Sequence, residues 1–271
     1  MTAWWGGSTV RFMNTKPLQH SALQDAKPQS ALPRTLVTGA TAGIGQALAL
    51  QLAQAGVPVL ALGRNAQRLQ ALQDSHALIA TVVCDLADVA SLPAQAAQWV
   101  TRYPDLACVI HNAGVQDNVR MDDAGYDADQ LRTEVDINLV APMVLTQALL
   151  PHLQSKQQAW VVNITSGLGF VPKRTSAVYS ATKAGLHLFS EGLRVQLQGS
   201  SVRVVEAVMP LVDTAMTQGR GTGKISPAQA ASEVIAGLHK GHATVWVGKA
   251  RAVPLLQRFA PRVLARIMQR G

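Results

Sequence analysis

From Thr35 onward the chain alternates between two hydrophobic rhythms. Short, nearly continuous apolar runs are followed by longer segments whose apolar positions recur at helical spacing. The runs predict strands at Thr35–Thr38, Val57–Leu62, Leu78–Cys84, Leu106–His111, Trp160–Thr165, Val202–Val208 and Thr244–Val247. The segments between them predict helices at Ile44–Ala55, Ala66–Asp74, Val89–Arg102, Ala128–Leu153, Tyr179–Leu197 and Pro227–Leu238. A strand that is apolar on both faces must be covered on both. Parallel strands joined by helices are the arrangement that does this. The expected fold is therefore α/β: one doubly wound domain with a parallel sheet of about seven strands and helices on both faces.

Outside that alternation lie two different ends. Residues 1–30 are polar and unpatterned apart from Trp4 and Trp5, and read as a flexible N-terminal extension. Met13 is an equally good start. Residues 31–248 carry the domain, and residues 249–271 form a basic amphipathic helical tail. In that tail Arg258, Arg262, Arg266 and Arg270 recur every four residues, while Leu256, Phe259, Val263, Leu264 and Ile267 can face the other way. Pro254 and Pro261 suit the first turns of two helical pieces. Such a helix packs against its own domain or lies on an anionic membrane surface. Packing is the commoner outcome, and peripheral contact with the inner face of the membrane is the alternative.

Composition narrows the function classes. With 271 residues, 48% of them hydrophobic, the chain can bury one large core. No apolar run reaches the roughly 18 residues of a membrane span. Met1 to Val10 lacks the pattern of a secretory signal, so a cytoplasmic location is expected. Cys84 and Cys108 sit inside apolar strand-like runs, as buried core residues in a reducing compartment do. No Cys/His cluster has ligand spacing, so no metal site is expected. The formal net charge of +8 raises nucleic acid, membrane or a phosphorylated ligand as partners. No acidic residue follows Glu233, so much of the excess belongs to the tail. No interleaved basic and aromatic surface supports nucleic-acid binding.

Candidate chemistry lies at the strand ends. The first strand runs into Thr38-Gly39-Ala40-Thr41-Ala42-Gly43-Ile44-Gly45 and then a helix. Glycines there let the backbone turn tightly against a dinucleotide pyrophosphate held at the helix N-terminus. After the second strand stands Arg64, with no carboxylate to take a ribose 2′-hydroxyl. A guanidinium there suits a 2′-phosphate, so NADP(H) is expected over NAD(H). Asp85 and Leu86, straight after the third strand, are placed to meet the adenine, although Asp85 reads equally well as a helix cap. Tyr179 and Lys183 stand four apart, on one face of a helix. A free phenol titrates near pH 10, and an adjacent ammonium, helped by the positive nicotinamide of the oxidised cofactor, lowers it toward neutrality. Tyr179 then serves as general acid/base at a carbonyl or alcohol, with Ser166 orienting the oxygen.

These residues carry a resemblance. Thr38 to Gly45, His111-Asn112-Ala113-Gly114, Asn138 in Asp136-Ile137-Asn138-Leu139, Ser166, Tyr179 and Lys183 resemble the motifs of the short-chain dehydrogenase/reductase family, over about Thr35 to Gly248. Tyr103-Pro104-Asp105-Leu106, Ser166 to Pro172 and Pro210 to Thr214 resemble its branch named for D-alanine esterification of teichoic acid. The resemblance implies a Rossmann-like domain, a homodimer or homotetramer, and a catalytic set of Asn138, Ser166, Tyr179 and Lys183. It further implies that Asn138 holds a relay water, and that Asn112, Val212 and Thr214 meet the cofactor with the glycine turn, Tyr179 and Lys183. Two departures stand out: His111 in place of an asparagine, and Pro210-Leu211 in place of Pro-Gly. The expected activity is hydride transfer to or from an apolar small molecule lying against Val115, Leu168, Phe170, Val171 and Leu211. Thr217–Ser226, with Gly219, Gly221 and Gly223, reads as a lid over it, and His187 as a packing residue. The alternative is a dinucleotide-binding sensor or scaffold without turnover.

Overall fold

The computed structural model describes residues 32–269. The expectations for residues 1–30, Met13, Arg270 and the side chain of Ile267 lie outside the described residues. The strands are β1 (Arg34–Thr38), β2 (Val59–Gly63), β3 (Ile79–Val83), β4 (Leu106–His111), β5 (Ala159–Ser166), β6 (Val202–Met209) and β7 (Thr244–Trp246). All pair in parallel, in the order β3-β2-β1-β4-β5-β6-β7. The chain thus winds outward from β1 to one edge, crosses back to β4 and winds to the other. The reversal between β1 and β4 opens a crevice at the strand ends, where ligands bind in such sheets.

The helices are α1 (Gly43–Gln54), α2 (Ala66–Ser75), α3 (Leu92–Arg102), α4 (Ala128–Val135), α5 (Ala141–Gln154), α6 (Ala177–Gln196), α7 (Pro227–His239), α8 (Val253–Phe259) and α9 (Pro261–Gln269). Strand side chains alternate between faces. Val37, Ile110 and Val162 pack with Leu48 and Leu52 of α1, Leu69 of α2 and Val234 of α7. Leu36, Val109 and Val161 pack with Trp99 of α3, Leu145 and Leu149 of α5 and Leu193 of α6. Leu48, Leu52, Leu145 and Leu149 are fully buried, and each contributes about 2 kcal/mol by removal from water.

The expected single helix Ala128–Leu153 is instead α4 and α5 joined through a π-helical segment, Asp136–Val140. Pro142 has no N–H to give to the carbonyl of Asn138 four residues back, so an ordinary α-turn cannot close there. The tail forms two helices at the expected prolines, but its apolar residues do not share one covered face. Leu264 is 3% exposed whereas Phe259 is 72% exposed. Ala260, at φ −143° and ψ 53°, breaks the helix and puts α8 and α9 out of register. No described helix is long and apolar enough to cross a membrane.

Candidate active site

One cavity of about 1450 Å³ runs along the strand ends. Gly39, Thr41, Gly43, Ile44, Arg64, Asp85, Leu86, Asn112, Ser166, Tyr179, Lys183, Val212 and Thr214 all border it. Gly45 and Asn138 stand behind its wall.

The cradle end is a backbone construction. Gly39 and Gly43 adopt φ of 65° and 55°, which side-chain-bearing residues rarely do. A methyl at Gly45 would run into the carbonyl oxygen of Gly39 and the amide of Asn112. Thr38 Oγ1 accepts from the N–H groups of Asn112 and Ala113 at 3.0 Å each, and the Asn112 amide donates to Thr38 O at 2.9 Å. Asn112 therefore ties β4 to the turn. The N-terminus of α1 has no side-chain cap and no acid in its first turn. Its N–H groups are left for an anion, which fits a pyrophosphate. Arg64 borders the cavity beyond β2, joined by Arg68, which the sequence reading missed although it lies one turn along α2. Asp85 does not cap a helix: it accepts from Ala87 N at 3.0 Å in a turn, and the next helical residues start at Val89 behind Asp88.

The other end of the cavity gathers three elements. Ser166 closes β5; its hydroxyl accepts from Leu168 N at 3.1 Å and is near enough to the Tyr179 phenol to favour its ionisation. Lys183, 4% exposed, donates from Nζ to Ile164 O at 3.0 Å and lies 5.7 Å from the centre of the Tyr179 ring. Asn138 is fully buried. Its Oδ1 accepts from Val115 N at 2.9 Å and its Nδ2 donates to Val115 O at 2.8 Å. Gly114 leaves the room that brings Asn138 and Lys183 together: a methyl there would sit 3.1 Å from Asn138 Oδ1 and 3.6 Å from Lys183 Nζ.

Burial sets the titration of these groups. It pushes Tyr179 up to about 12 against the favourable influence of Ser166, and pushes Lys183 down to about 8. In the protein without cofactor, desolvation of the phenolate outweighs the nearby favourable groups; the expected lowering also drew on the charge of the oxidised nicotinamide. Glu134 of α4, 1% exposed, is a further buried charge that the sequence reading missed. Burial raises its carboxyl to about 7, and its charge in turn raises Lys183 and Tyr179. Its position four residues before Asn138, on the same helical face, was the available signal.

On the substrate side, Val115, Leu168 and Leu211 border the cavity as expected, while Phe170 and Val171 do not. Phe170 turns away to pack on His187 at 4.5 Å and Trp246 at 5.1 Å. His187 pairs with buried Glu206 at 2.9 Å, and Glu206 also accepts from Thr165 at 2.6 Å. Glu191 lies beside them but pairs with Arg194, so these groups are satisfied among themselves. Buried His111 instead ties β4 to α5, 2.9 Å from Thr146 Oγ1. The Thr217–Ser226 segment folds back so that Ile225 bridges to Val212, and Lys224 donates to Thr217 O at 2.7 Å. Leu256 and Leu264 of the tail complete the wall.

A parallel sheet with a glycine cradle at its switch point, and a buried lysine beside a tyrosine at the other end of one cavity, defines a dinucleotide-dependent oxidoreductase. Residues 34–224 match the short chain dehydrogenase family model, and the chain belongs to that family. It is 38% identical to the uncharacterized oxidoreductase DltE of Bacillus subtilis over 183 residues, 68% of this chain and 73% of that protein. A short chain dehydrogenase from Burkholderia cenocepacia in complex with NADP superposes with a TM-score of 0.77 at 26% identity, over 87% of this chain and 97% of that one. Another, from Burkholderia phymatum in complex with NAD, gives 0.74 at 16% identity over 87% and 95%, a likeness of fold alone.

Proposed function

We propose that the protein transfers hydride between NADP(H) and the carbonyl or alcohol carbon of a small molecule, with Tyr179 giving and taking the proton. The convergence of Ser166, Tyr179 and Lys183 on one cavity with the glycine cradle carries this reading. The nicotinamide supplies the hydride and, when oxidised, a positive charge. Ser166 orients the substrate oxygen. Tyr179, held protonated by burial, is ready as an acid in the reducing direction. Ser166 and Arg220 both favour its phenolate, which serves the reverse direction at higher pH. Lys183 would hold the cofactor ribose and feed protons to Tyr179. Asn138, locked to Val115, shapes the passage behind it. Val115, Leu168, Leu211 and Met216 give the substrate an apolar bed.

The preference for NADP(H) is supported by Arg64 and Arg68 at the cradle end, where among the described residues no carboxylate but Asp85 borders the cavity. Assembly as a homodimer or homotetramer is supported by Leu188 and Val195 of α6, 68% and 65% exposed on a helix whose other face is core. The buried free cysteines suit the cytoplasm. Arg258, Arg262 and Arg266 stand outward beside exposed Leu255 and Phe259, which supports a peripheral encounter with an anionic membrane surface.

Titration with NADPH and NADH, followed by nicotinamide fluorescence, tests the cofactor. Arg64→Ala should weaken NADPH by about tenfold or more and leave NADH nearly unchanged. Tyr179→Phe should keep NADPH binding and lose about 10²- to 10⁴-fold in turnover across a carbonyl panel. Unchanged turnover would refute the assigned chemistry.

A further inference from the structure

The cavity wall near Tyr179 carries charge that hydride transfer does not require. Lys173, in the loop between β5 and α6, and Arg220, in the glycine-rich segment after β6, both border the cavity and are both half-buried. Arg220 reaches across the mouth and donates from Nη1 to Gln116 Oε1 at 3.1 Å. Gln116 is itself fixed by donating to Ser176 Oγ at 2.9 Å. Neither cation forms an ion pair among the described residues. The two are near enough that Arg220 disfavours the Lys173 ammonium, after burial has already done so.

Among the described residues no acid pairs with either cation, although Asp117 stands next to Gln116 and Glu134 accepts from Asp117 N at 3.2 Å close by. Asp213, the nearest along the chain, pairs with Lys224 at 3.2 Å. Asp85, the acid that borders the cavity, stands at the adenine end. Two like charges, partly shielded from water and neither held in an ion pair, favour an anion that joins them. The loop is also shaped to hold the arginine there. Gly219 and Gly221 flank it at φ of 73° and 60°, in the left-handed region. A guanidinium with one edge anchored to Gln116 keeps further donors free for an oxyanion.

We propose that the substrate carries an oxyanion, a carboxylate or a phosphate ester, that binds between Arg220 and Lys173 while its carbonyl or carbinol carbon lies against Ser166 and Tyr179. This assignment rests on the oxidoreductase reading above and gives it a substrate class: a charged head on an apolar carbon chain. Binding the head brings the Thr217–Ser226 segment and the Lys173 loop onto one ligand, which closes the mouth over the reacting carbon.

The test uses matched pairs that differ in charge. With NADPH, reduction of 4-oxobutanoate is compared with its methyl ester, and of glyceraldehyde 3-phosphate with glyceraldehyde. One charged member should be favoured over its neutral partner by about tenfold to a hundredfold in kcat/KM, most of it in KM. Which pair shows the preference separates carboxylate from phosphate. In Arg220→Ala and Lys173→Ala the charged-to-neutral ratio should fall toward one, and Arg220→Lys should restore part of it. Should none of the four turn over, the same anions are titrated against the enzyme–NADPH complex by nicotinamide fluorescence. Saturable binding lost in Arg220→Ala upholds the assignment, and no binding overturns it. Wild-type turnover without a charge preference, or a ratio unchanged in both alanine variants, also overturns it while the oxidoreductase reading stands. Failure to bind NADPH, or full activity in Tyr179→Phe, sinks that reading instead.

Discussion

Replacing Glu134 by glutamine removes a charge and keeps the shape. The carboxyl is 1% exposed, and its described hydrogen bond is from Asp117 N at 3.2 Å. Burial lifts it from an ordinary 4.5 to about 7. Between those values the folded chain holds a proton that the unfolded chain has released. The stability this group contributes is therefore fully present below pH 4.5 and is lost as pH rises through about 7. The interval corresponds to at most about 3 kcal/mol. A carboxamide has no such dependence and can still accept from Asp117 N. Glu134→Gln should thus be more stable than wild type at pH 8 by about 1–3 kcal/mol, or roughly 2–10 °C in Tm, with the gap closing at pH 5. Thermal unfolding of both proteins at pH 5, 6, 7 and 8 measures it. A gap that does not change with pH, or a variant less stable at pH 8, refutes the reasoning. The same carboxylate raises Lys183, which burial holds near 8. Without it Lys183 loses its proton at lower pH, so the alkaline limb of the pH–rate profile should move down. The stabilised variant should be the poorer catalyst at pH 8, the trade that a strained site implies.

Two further outcomes are expected. His111 is held neutral by burial, which pushes it down to about 3 from 6.5, so its contribution to stability is complete above pH 6.5 and is lost as pH falls toward 3. His111→Asn should therefore lose less stability than wild type between pH 7 and pH 4, by up to about 3 kcal/mol in urea unfolding, and equal losses would count against it. Leu264→Ala removes part of the cavity wall, so substrate KM should rise severalfold while NADPH affinity holds. A KM identical to wild type would mean that α9 does not contribute to substrate binding.

The sheet was legible in the sequence because its strands are apolar on both faces, a pattern that few other arrangements produce. Ser166, Tyr179 and Lys183 were legible because type and spacing together demand one helix and one strand end. Asn138 was legible as a residue but not as a distortion. Periodicity reads straight through α4 and α5, and the π segment betrays itself only in the missing N–H of Pro142. Phe170 and Leu168 are two residues apart in the same loop and look alike in sequence. Packing against His187 and Trp246 sends one away from the cavity and leaves the other in it. Glu134 and Arg220 were invisible for a related reason: the sequence reports that a residue is charged but not whether the fold gives that charge a partner.

That distinction also changes the meaning of the chain's positive balance. By sequence, much of the +8 excess falls in the tail, where Arg258, Arg262 and Arg266 stand in solvent. In the fold a second concentration appears, drawn from segments far apart in the chain: Arg64 and Arg68 at one end of the cavity, Lys183 beside Tyr179, and Lys173 and Arg220 at the mouth, with Asp85 as the acid among them. A cleft of one sign with low-dielectric walls concentrates anions and orients them before contact. On the proposals above, that field would favour a dinucleotide phosphate at one end and an anionic substrate at the other. The apolar residues between them exclude the water that would otherwise screen it.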